Sequence, residues 1–593
     1  MCGIFGWLGS NGASNATAVL TAMGERLRHR GPDNHGMHIE ASKALALGHN
    51  RLSIIDLSDD GRQPMVHSDT GDVLVFNGEI YNFVELREHL RAKGVRFRSR
   101  SDTEVLLHAI ATWGMDCLAR IEGMYAFAVW RPSERSLYLV RDPLGIKPIY
   151  YIEEAAGRHL TFASEIKAFL ALPYFKPQVD TRALGQFLEF GYVFDADRTS
   201  LQGVRKLPPG HVAKYPLGGP LELRRFFAPA LTRFDGCEAE GLEHFLYERL
   251  SNVVEQHLVA DVPVGLLLSG GLDSSLLAAL AARRTRIRTI SMGFAGSSLD
   301  ERPQARIVAD YIASDHEEVL IEPGELRQDL AEVIYYFDDL FADWGTVSTR
   351  LLYKKCRERG VKVVIVGEGS DELFGGYDMF RPTQTRLPAD LWLFNRYRHY
   401  AGRRYGSYFY SFRKIMREHL KACEADRFGA IRLFETQQQL PNNYVMKVDK
   451  ASMSVSVEAR VPYLDKRIAE IAYRIPSRLL LAGGSEKAVL RRIAARHRLL
   501  PESTIYRPKF GGSMASSWMD DHASWRRYAQ DVLLDTGSWT HELKLGEAMR
   551  EYFIAGRTGF RFPHAISLFR NLAWRLLILE LWSRAYRVAP NVQ

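Results

Sequence analysis

Residues 264–275 read VGLLLSGGLDSS, and this stretch decides the fold of the C-terminal half of the chain. Its apolar run predicts a buried strand, a serine-glycine turn follows, and a helix is expected from Asp273. Glycines let a backbone approach a ligand closely, and the unpaired N–H groups at a helix start attract anions. The turn therefore suits a pyrophosphate group. Because the Asp273 carboxylate would repel phosphate, a bridging Mg²⁺ is expected beside it.

The segments on both sides of this turn alternate between helix and strand patterns. They are helices at residues 243–259 and 303–313, and strands at residues 262–268, 289–294 and 361–366. Buried apolar strands that alternate with helices predict an α/β fold with a doubly wound parallel sheet. After about residue 385 the chain becomes rich in aromatic residues and helix patterns, which predicts a helical C-terminal extension.

A second loop with chemical character follows the strand at 361–366. Residues 367–377 read GEGSDELFGGY and place three acids among glycines. Loops after the strands of a parallel sheet gather at one edge, where ligands bind. Clustered acids there indicate metal binding or proton transfer, and a solvated acidic turn is the alternative interpretation. The sequence has no GxxxxGK[ST] loop, so cleavage between the α- and β-phosphates of a nucleotide is favoured over γ-phosphoryl transfer.

The N-terminal part has a different pattern, in which short strands alternate with turns. Strands are predicted at residues 44–47, 73–76, 125–130, 136–141, 149–152 and 159–163, and helices at 15–28 and 102–113. This pattern predicts an antiparallel α+β domain. A stretch rich in proline and glycine at 207–220 marks a boundary. The predicted division is a first domain at 1–210, a linker at 211–235 and a second domain at 236–593.

Composition excludes several classes of protein. The 593 residues include 78 Lys and Arg against 70 Asp and Glu, a net charge of +8, with 46% hydrophobic residues, which is typical of globular proteins. Five scattered cysteines without a CxxC pair predict neither a disulfide framework nor a zinc site. No contiguous basic run indicates nucleic-acid binding, and the longest apolar stretch is too short to span a membrane. A cytoplasmic protein with small-molecule partners is expected.

Cys2 is the first candidate catalytic residue. Removal of Met1 would leave Cys2 with a thiol and an α-amino group of pKa roughly 7.7–8.0. At neutral pH that amine can take the thiol proton, so one residue serves as nucleophile and base. The alternative interpretation is that Cys2 is an ordinary small apolar residue.

Three further segments supply groups that fit a nucleophilic cysteine. Asn77 and Gly78 are predicted at a strand end, where a side-chain amide and a backbone N–H group can stabilise one oxyanion. Arg51 offers a forked donor for a carboxylate, and Asp102 offers an acceptor for an ammonium group. Together, a cation and an anion match the head group of a free amino acid.

The N-terminal motifs together resemble the class II glutamine amidotransferase domain. They are MCGI at 1–4, RHRGPD at 28–33, RLSI at 51–54, FNGEIYN at 76–82, SDTE at 101–104 and RDPLG at 141–145. The resemblance implies an N-terminal nucleophile hydrolase fold, an αββα sandwich of two sheets between helices. It also implies that Cys2 attacks the side-chain amide of glutamine, forms a thioester and releases ammonia. By position it assigns the oxyanion hole to Asn77 and Gly78, and glutamine binding to these two residues with Arg51, Glu79 and Asp102.

The C-terminal half resembles the synthetase domain of the glutamine-hydrolysing asparagine synthetase family, and the order of the two domains matches that family. The motifs are SGGLDSS at 269–275, GEGSDELFGGY at 367–377, SVEARVPYLDK at 456–466 and RPKFGG at 507–512. The resemblance implies an ATP-pyrophosphatase domain in which ATP activates a carboxylate as an acyl-adenylate and pyrophosphate leaves. Ammonia would then reach the adenylate through an internal tunnel. A homodimer is a further expectation from the family.

The same resemblance assigns roles in the second site. The residues assigned to pyrophosphate binding are Ser269, Gly270, Gly271, Asp273 and Ser274. Those assigned to adenosine binding are Leu267, Met292 and Gly367. Asp273 and Asp371 would hold Mg²⁺. Glu368 would take a proton from the incoming ammonia, and Lys509 would stabilise charge on the phosphates. Lys487 matches a basic family position whose role stays open.

Departures from the family pattern bear on the acceptor. After residues 341–343 the chain reads WGTVSTR, so Trp344 and Arg350 are expected near the acceptor, and residues 382–420 are rich in Arg and Tyr. The leading hypothesis is asparagine synthesis from aspartate, ATP and glutamine. The alternative is the same chemistry on another carboxylate, such as a sugar uronic acid or a peptide or antibiotic precursor. An adenylating enzyme that modifies tRNA or nucleobases and a non-catalytic nucleotide binder are weaker hypotheses, because no basic RNA-binding run is present and the catalytic positions are intact.

Overall fold

The computed structural model describes residues 2–9, 15–154, 159–231, 234, 239–294, 300–381, 392–394, 408–508, 523–555 and 563–589. The N-terminal part contains the strands β1 Cys2–Gly9, β2 Asn34–Glu40, β3 Leu45–Arg51, β4 Met65–Val66, β5 Val73–Ile80, β6 Gly123–Arg131, β7 Ser136–Arg141, β8 Tyr150–Glu153, β9 His159–Ala163, β10 Arg205–Lys206, β11 His211–Pro216 and β12 Glu222–Arg225. Its helices are α1 Ala16–Arg26, α2 Phe83–Arg91, α3 Asp102–Trp113 and α4 Thr181–Phe190.

These strands form two sheets that stack on one another. Within the described residues, one sheet has the order β10-β8-β9-β1-β3-β2 and the other β12-β11-β7-β6-β5-β4. Fully buried side chains of both sheets, such as Ile4, Leu47, Val75 and Ala128, form the layer between them. Helix α1 packs on the outer face of the first sheet, and α2 and α3 pack on that of the second. The predicted αββα sandwich is confirmed.

The linker prediction differs from the structure. Residues 211–235 were expected to form a linker. They contain β11, which pairs with β7, and β12, which pairs with β11. Proline and glycine at 207–220 mark tight turns between strands, such as Gly210 and Gly218 with positive φ, rather than the end of the domain. Residues 211–225 therefore extend the second sheet.

The C-terminal part is built on a parallel sheet. Its strands are β13 Val264–Leu267, β14 Arg288–Phe294, β15 Asp315–Ile321, β16 Val363–Ile365 and β17 Glu458–Arg460. Their order is β15-β14-β13-β16-β17 with every pair parallel, and β13 lies at the centre. The predicted doubly wound parallel sheet is confirmed. The carboxyl ends of β13 and β16 lie side by side, which brings the turn at 268–273 next to the acidic loop at 367–377.

Helices surround this sheet and continue beyond it. They are α5 Ala239–His257, α6 Leu272–Ala282, α7 Arg302–Tyr311, α8 Pro323–Phe337, α9 Thr346–Glu358, α10 Ser370–Phe374, α11 Phe409–Ala422, α12 Arg427–Phe434, α13 Val445–Met453, α14 Lys466–Arg474, α15 Ser477–Leu480, α16 Ala488–Arg496, α17 Glu502–Ile505, α18 Ala523–Leu533, α19 Trp539–Glu542, α20 Gly546–Ala555 and α21 Pro563–Tyr586. A π-helix at Glu435–Tyr444 joins α12 to α13. Among the described helices, none is long and apolar enough to cross a membrane.

A buried network of charged side chains joins the two parts. Arg30 Nη1 donates to Glu165 Oε1 at 2.7 Å within the N-terminal part and to Asp449 Oδ2 at 2.9 Å on α13. Lys450 Nζ on α13 donates to Asp338 Oδ1 at 2.6 Å, and Lys167 of the N-terminal part contacts the same carboxylate at 3.4 Å. The side chains of all six residues are at most 2% exposed. Because buried charges need partners, this network fixes how the domains meet.

We predict that Asp338→Asn destabilises the protein. The change leaves Lys167 and Lys450 buried without their shared anion, which is expected to lower the free energy of unfolding by about 3–5 kcal/mol. Asparagine tolerates the positive φ of this position, so the backbone is not strained. The measurement is urea unfolding followed by circular dichroism.

The matched control is Asp59→Asn, because the Asp59 side chain is 77% exposed and pairs only with the exposed Arg62 in the described structure. No measurable change is expected there. Equal stability of the two variants would show that the network does not hold the domains together.

Candidate active site

The first predicted site assembles around Cys2 at the start of β1. The sheet register places Cys2 directly opposite Arg51 on β3. The Cys2 N–H group donates to Asn77 Oδ1 at 2.9 Å, and the Nδ2 of Asn77 is buried with no hydrogen-bond partner in the described part of the chain. An unpaired buried amide donor beside a nucleophile is what an oxyanion requires. Burial raises the pKa of the Cys2 thiol, so it stays protonated until a base acts.

Asn77 and Gly78 do not lie at a strand end as the sequence indicated. They lie inside β5, which continues to Ile80 because the buried pattern does not break at the Asn-Gly pair. Gly78 is opposite Tyr125 on β6, and a Cβ atom at Gly78 would come within 2.1 Å of the Met124 carbonyl oxygen. Glycine is therefore required for the close approach of β5 and β6, independently of any role in catalysis.

The remaining predicted glutamine-binding residues lie in the same region. Asp102 begins α3, and its Oδ2 accepts the N–H group of Ile80 at 2.9 Å, which brings it next to the end of β5. Burial raises the pKa of Glu79 well above its usual value, and the nearby charges of Glu458 and Asp102 raise it further. Burial likewise raises the pKa of Asp102 to about 6. Arg51 Nη1 donates to the Ser58 carbonyl oxygen at 2.8 Å, which fixes the guanidinium.

Arg460 is a member of this region that sequence analysis did not assign. It ends β17 of the C-terminal part, yet its Nη2 lies 3.7 Å from Glu79 Oε1. Its Nε donates to Glu458 Oε1 at 2.6 Å, and its Nη1 donates to the His257 carbonyl oxygen at 2.7 Å. The motif at 456–466 indicated that this segment is part of the family pattern. It did not indicate that Arg460 contacts Glu79, nearly 400 positions earlier.

The second predicted site is a cavity of about 830 Å³ at the carboxyl edge of the parallel sheet. The predicted residues that line it are Leu267, Ser269, Gly271, Asp273, Ser274, Met292, Gly367, Glu368 and Asp371. The Ser269 and Ser274 hydroxyls lie 3.0 Å apart, which closes the turn at the start of α6. Gly270 is not a lining residue, but it has φ +69° and a Cβ there would meet Gln304 at 2.5 Å. Only glycine fits this turn without strain.

Lys487 lies between the two carboxylates that were expected to hold a metal. Its Nζ contacts Asp371 Oδ1 at 2.5 Å and also contacts Asp273 Oδ2. Asp273 in the first turn of α6 and Asp371 in the first turn of α10 thus contact the same cation. In the described residues, no group of three or more His, Cys, Asp and Glu side chains could hold a metal on its own. A pair of carboxylates suits Mg²⁺, which takes its other ligands from phosphates and water, so the residues fit the predicted ion.

Glu368 lines the cavity and is half-buried. Loss of hydration raises the pKa of its carboxyl, the charge of Lys447 lowers it, and the charges of Asp371, Asp273 and Asp343 raise it. Lys447 Nζ lies 3.4 Å from Asp343 Oδ1. Lys447 and Asp343 both line the cavity and were not assigned from the sequence. Lys447 lies on α13, two residues from Asp449, so a single helix connects this cavity to the interdomain network.

Two expectations about the acceptor region, those for Trp344 and Arg350, are corrected. Trp344 does not line the cavity: its ring stacks on Trp574 of α21 at 4.6 Å between centroids. Arg350 also points away, because it donates to Ser454 Oγ at 3.0 Å and contacts Asp329. On α9 the cavity face carries Ser348, Thr349, Leu352 and Tyr353, and one residue along a helix turns a side chain about 100°. None of the described residues of 382–420 lines the cavity.

Lys509 and residues 382–391 and 395–407 lie outside the described residues. The basic side chains that line the cavity within the described chain are Lys447, Lys487, Arg491 and Arg507. Arg507 Nη1 donates to the Gly270 carbonyl oxygen at 3.3 Å, next to the serine-glycine turn. Arg507 begins the motif at 507–512 but received no role from the sequence, and Arg491 was not assigned because a single arginine gives no indication of its neighbours in space.

Two family descriptions match the chain: a glutamine amidotransferase domain over residues 1–226, and asparagine synthase over residues 246–584. A relative from Bacillus subtilis named glutamine-hydrolysing asparagine synthetase 1 is 29% identical over 563 residues, which cover 86% of each protein. A putative glutamine-hydrolysing asparagine synthetase of Mycobacterium tuberculosis is 32% identical over 582 residues, 86% of this chain and 87% of the relative. Glutamine-hydrolysing asparagine synthetase 2 of Arabidopsis thaliana is 31% identical over 564 residues, 91% and 84% of the two chains. The chain therefore belongs to the asparagine synthase family, with a glutamine amidotransferase domain ahead of its synthase domain.

Proposed function

We propose that this protein makes asparagine from aspartate, with glutamine as the nitrogen donor and ATP as the source of energy. The observation that carries the proposal is the physical connection of two complementary sites. Arg30 Nε donates to the Cys2 carbonyl oxygen at 3.1 Å, and the same guanidinium binds Asp449 on the helix that carries Lys447. A site suited to releasing ammonia is thus joined to a site suited to activating a carboxylate. The direct test is quantification of asparagine and AMP from aspartate, glutamine and ATP.

Removal of Met1 during maturation exposes the α-amino group of Cys2, and in the first half-reaction that amine takes the thiol proton. The thiolate attacks the side-chain amide of glutamine, and the tetrahedral oxyanion is stabilised by Asn77 Nδ2 and the Gly78 N–H group. Arg51 binds the α-carboxylate of glutamine, and Asp102 with Glu79 binds its α-ammonium group. Ammonia leaves, and water hydrolyses the resulting thioester to glutamate.

In the second half-reaction, the acceptor carboxylate attacks the α-phosphorus of ATP and pyrophosphate leaves. Ser269, Gly270, Gly271 and Ser274 supply hydroxyl and N–H donors for the pyrophosphate, at a helix start that favours anions. Mg²⁺ held by Asp273 and Asp371 would neutralise charge on the phosphates. Leu267 and Met292 form an apolar surface for the adenosine.

Ammonia completes the reaction by attacking the acyl-adenylate. We propose that ammonia travels inside the protein from Cys2 to the cavity, which would keep it from protonation by bulk water. Glu368, a cavity-lining carboxylate whose pKa is affected by Lys447, Asp371 and Asp273, accepts the proton that the attacking nitrogen loses, and AMP leaves. Lys509 is proposed to stabilise the phosphate charge. A cytoplasmic homodimer remains a prediction from the family resemblance.

Cys2→Ala should abolish glutamine-dependent amidation and leave ammonia-dependent amidation intact. The change removes the nucleophile of the first site without touching the cavity of the second, so asparagine formation with ammonium chloride should stay within about twofold of the wild type. Asparagine and glutamate are measured together by chromatography. Intact-mass analysis of the wild type checks the removal of Met1. Loss of both activities in a folded variant would contradict the two-site assignment.

Glutamine hydrolysis should weaken in acid, because Asp102 must be ionised to bind the α-ammonium group. With a pKa of about 6, the carboxyl is charged above that pH and becomes neutral below it. Protonation of the Cys2 α-amino group already lowers kcat/KM below its pKa of roughly 7.7–8.0. Below pH 6 we therefore expect the fall in kcat/KM for glutamine to steepen from about tenfold to about a hundredfold per pH unit. Stopped glutaminase assays across pH 4.5–8 give the profile, and Asp102→Asn should remove this step. An unchanged profile in Asp102→Asn would assign the step to another group.

Asp273→Asn and Asp371→Asn should each lower aspartate-dependent AMP formation by at least a hundredfold. Each change removes one of the two carboxylates that are proposed to hold Mg²⁺ with the nucleotide, while the glutaminase site lies in the other domain. The measurement is ATP-to-AMP turnover with ammonium as donor, at several Mg²⁺ concentrations. Asp310→Asn, at an exposed position of α7, is the matched control. Activity near that of the control would show that Asp273 and Asp371 do not hold the metal and nucleotide.

A further inference from the structure

The guanidinium of Arg51 is held by the arginine loop, the short loop of residues 54–58 that follows it in sequence. Arg51 Nη1 donates to the Ser58 carbonyl oxygen at 2.8 Å. Its Nη2 donates to the carbonyl oxygens of Ile55, at 3.4 Å, and Asp56. Arg51 is only 6% exposed. Three backbone carbonyl oxygens of one loop therefore fix where this side chain lies.

Gly61 shows how closely the guanidinium is enclosed. A Cβ atom at this position would lie 2.2 Å from Arg51 Nη2 and 2.8 Å from Arg51 Cζ. Gly61 does not have a positive φ, so its backbone conformation is open to other residues. Glycine is therefore needed here for the space beside the guanidinium rather than for backbone freedom.

The arginine loop is also bonded to the segment that carries Asp102. Asp56 is 3% exposed, and its Oδ2 accepts the N–H group of Arg100 at 2.7 Å. Its Oδ1 accepts the N–H group of Ser58 at 3.1 Å within the loop. Arg100 lies two residues before Asp102. One buried carboxylate thus joins the loop that holds the cation of the glutamine site to the segment that holds its anion.

The synthase domain supplies a further contact that fixes the arginine loop. The Asp56 N–H group donates to Asp261 Oδ2 at 2.8 Å. The Asp261 N–H group donates in turn to the Ile54 carbonyl oxygen at 2.9 Å. Asp261 lies three residues before Val264, where β13 begins. The loop around Arg51 is therefore bonded to the segment that leads into the central strand of the parallel sheet.

The segment that carries Asp261 is itself fixed on two sides. Arg460 Nη1 donates to the carbonyl oxygens of His257 and Val259, each at 2.7 Å. The ring of His257 stacks on Tyr81 with 3.7 Å between the centroids. Asp261 is exposed, but the backbone just before it cannot move freely. Its carboxylate therefore offers the arginine loop a fixed acceptor.

We propose that Asp261 is a positioning residue for glutamine binding. From the synthase domain it holds the arginine loop, and the loop holds the Arg51 guanidinium where the α-carboxylate of glutamine binds. The inference rests on the proposed role of Arg51 and adds a residue of the other domain to the glutamine site. A guanidinium whose direction is set before the ligand arrives loses less side-chain freedom on binding, which raises affinity.

This role predicts a particular kinetic signature. Asp261 acts on the binding of glutamine and not on the thioester chemistry at Cys2. Its loss should therefore change KM for glutamine and leave kcat nearly unchanged, because an interaction that is equal in the ground state and the transition state affects KM alone.

The experiment measures glutamate release from glutamine and, in parallel, asparagine formation from ammonium chloride. Asp261→Ala removes the acceptor of the Asp56 N–H group. We expect KM for glutamine to rise about three- to tenfold, the effect of one lost hydrogen bond, with kcat within about twofold of the wild type. Asp261→Asn keeps a side-chain oxygen that accepts this bond, so KM should stay within about twofold of the wild type. Ammonia-dependent synthesis should be unchanged in both variants.

Two further variants calibrate the effect. Gly61→Ala places a methyl group against the guanidinium, so it should raise KM for glutamine at least as much as Asp261→Ala does. Asp310→Asn, at an exposed position of α7, is the control and should leave KM for glutamine unchanged.

The outcomes separate this inference from the proposed function. An unchanged KM for glutamine in Asp261→Ala overturns the role of Asp261 and leaves the two-site reaction standing. Equal effects of Asp261→Ala and Asp261→Asn, or a joint fall in kcat and in ammonia-dependent synthesis, would show a structural role only and also overturn the inference. The expected KM shifts without asparagine formation would support the inference and overturn the choice of aspartate. Absence of glutamine hydrolysis by the wild type overturns both.

Discussion

The guanidinium of Arg30 is the interaction on which the arrangement of the whole molecule depends. It binds Glu165 of its own domain, Asp449 of the other domain and the carbonyl oxygen of Cys2. A buried arginine is stable only when its donors are satisfied, so the domains cannot separate or slide without leaving charges unpaired in the interior. The same side chain therefore contacts the backbone of Cys2 and joins the two domains.

The cost of burying these charges indicates what the interface does. An apolar interface of similar size would hold two domains together without the free-energy cost of desolvating charged groups, but it would tolerate small shifts between them. Charged side chains with directional hydrogen bonds keep their geometry in only one relative position of the domains. Two sites that pass a small, reactive molecule between them need that fixed position, because an opening at the interface would admit water. A further contact across the interface joins Arg460 to Glu79, one of the residues proposed to bind glutamine.

Sequence reasoning succeeded where the information is local. Strands β7 and β9 and helix α3 have the predicted bounds, and the residues around Cys2 and the serine-glycine turn were predicted from motifs of a few positions. It failed where a side chain's direction or a distant partner decides. Arg350 was expected near the acceptor, but its place on α9 turns it toward Asp329, whereas Thr349 beside it faces the cavity. Lys447 and Arg460 act on residues far away in sequence, and no local pattern encodes such a contact.

Lys487 shows how the second site handles charge between turnovers. Two carboxylates at adjacent strand ends would repel each other and push their loops apart if no cation lay between them. The ammonium group of Lys487 supplies the counterion that these two carboxylates need. A metal ion held by the same pair, as proposed above, would exchange one positive partner for another rather than impose order on a repelling pair. The two segments would then already be in place for the phosphates before a nucleotide binds.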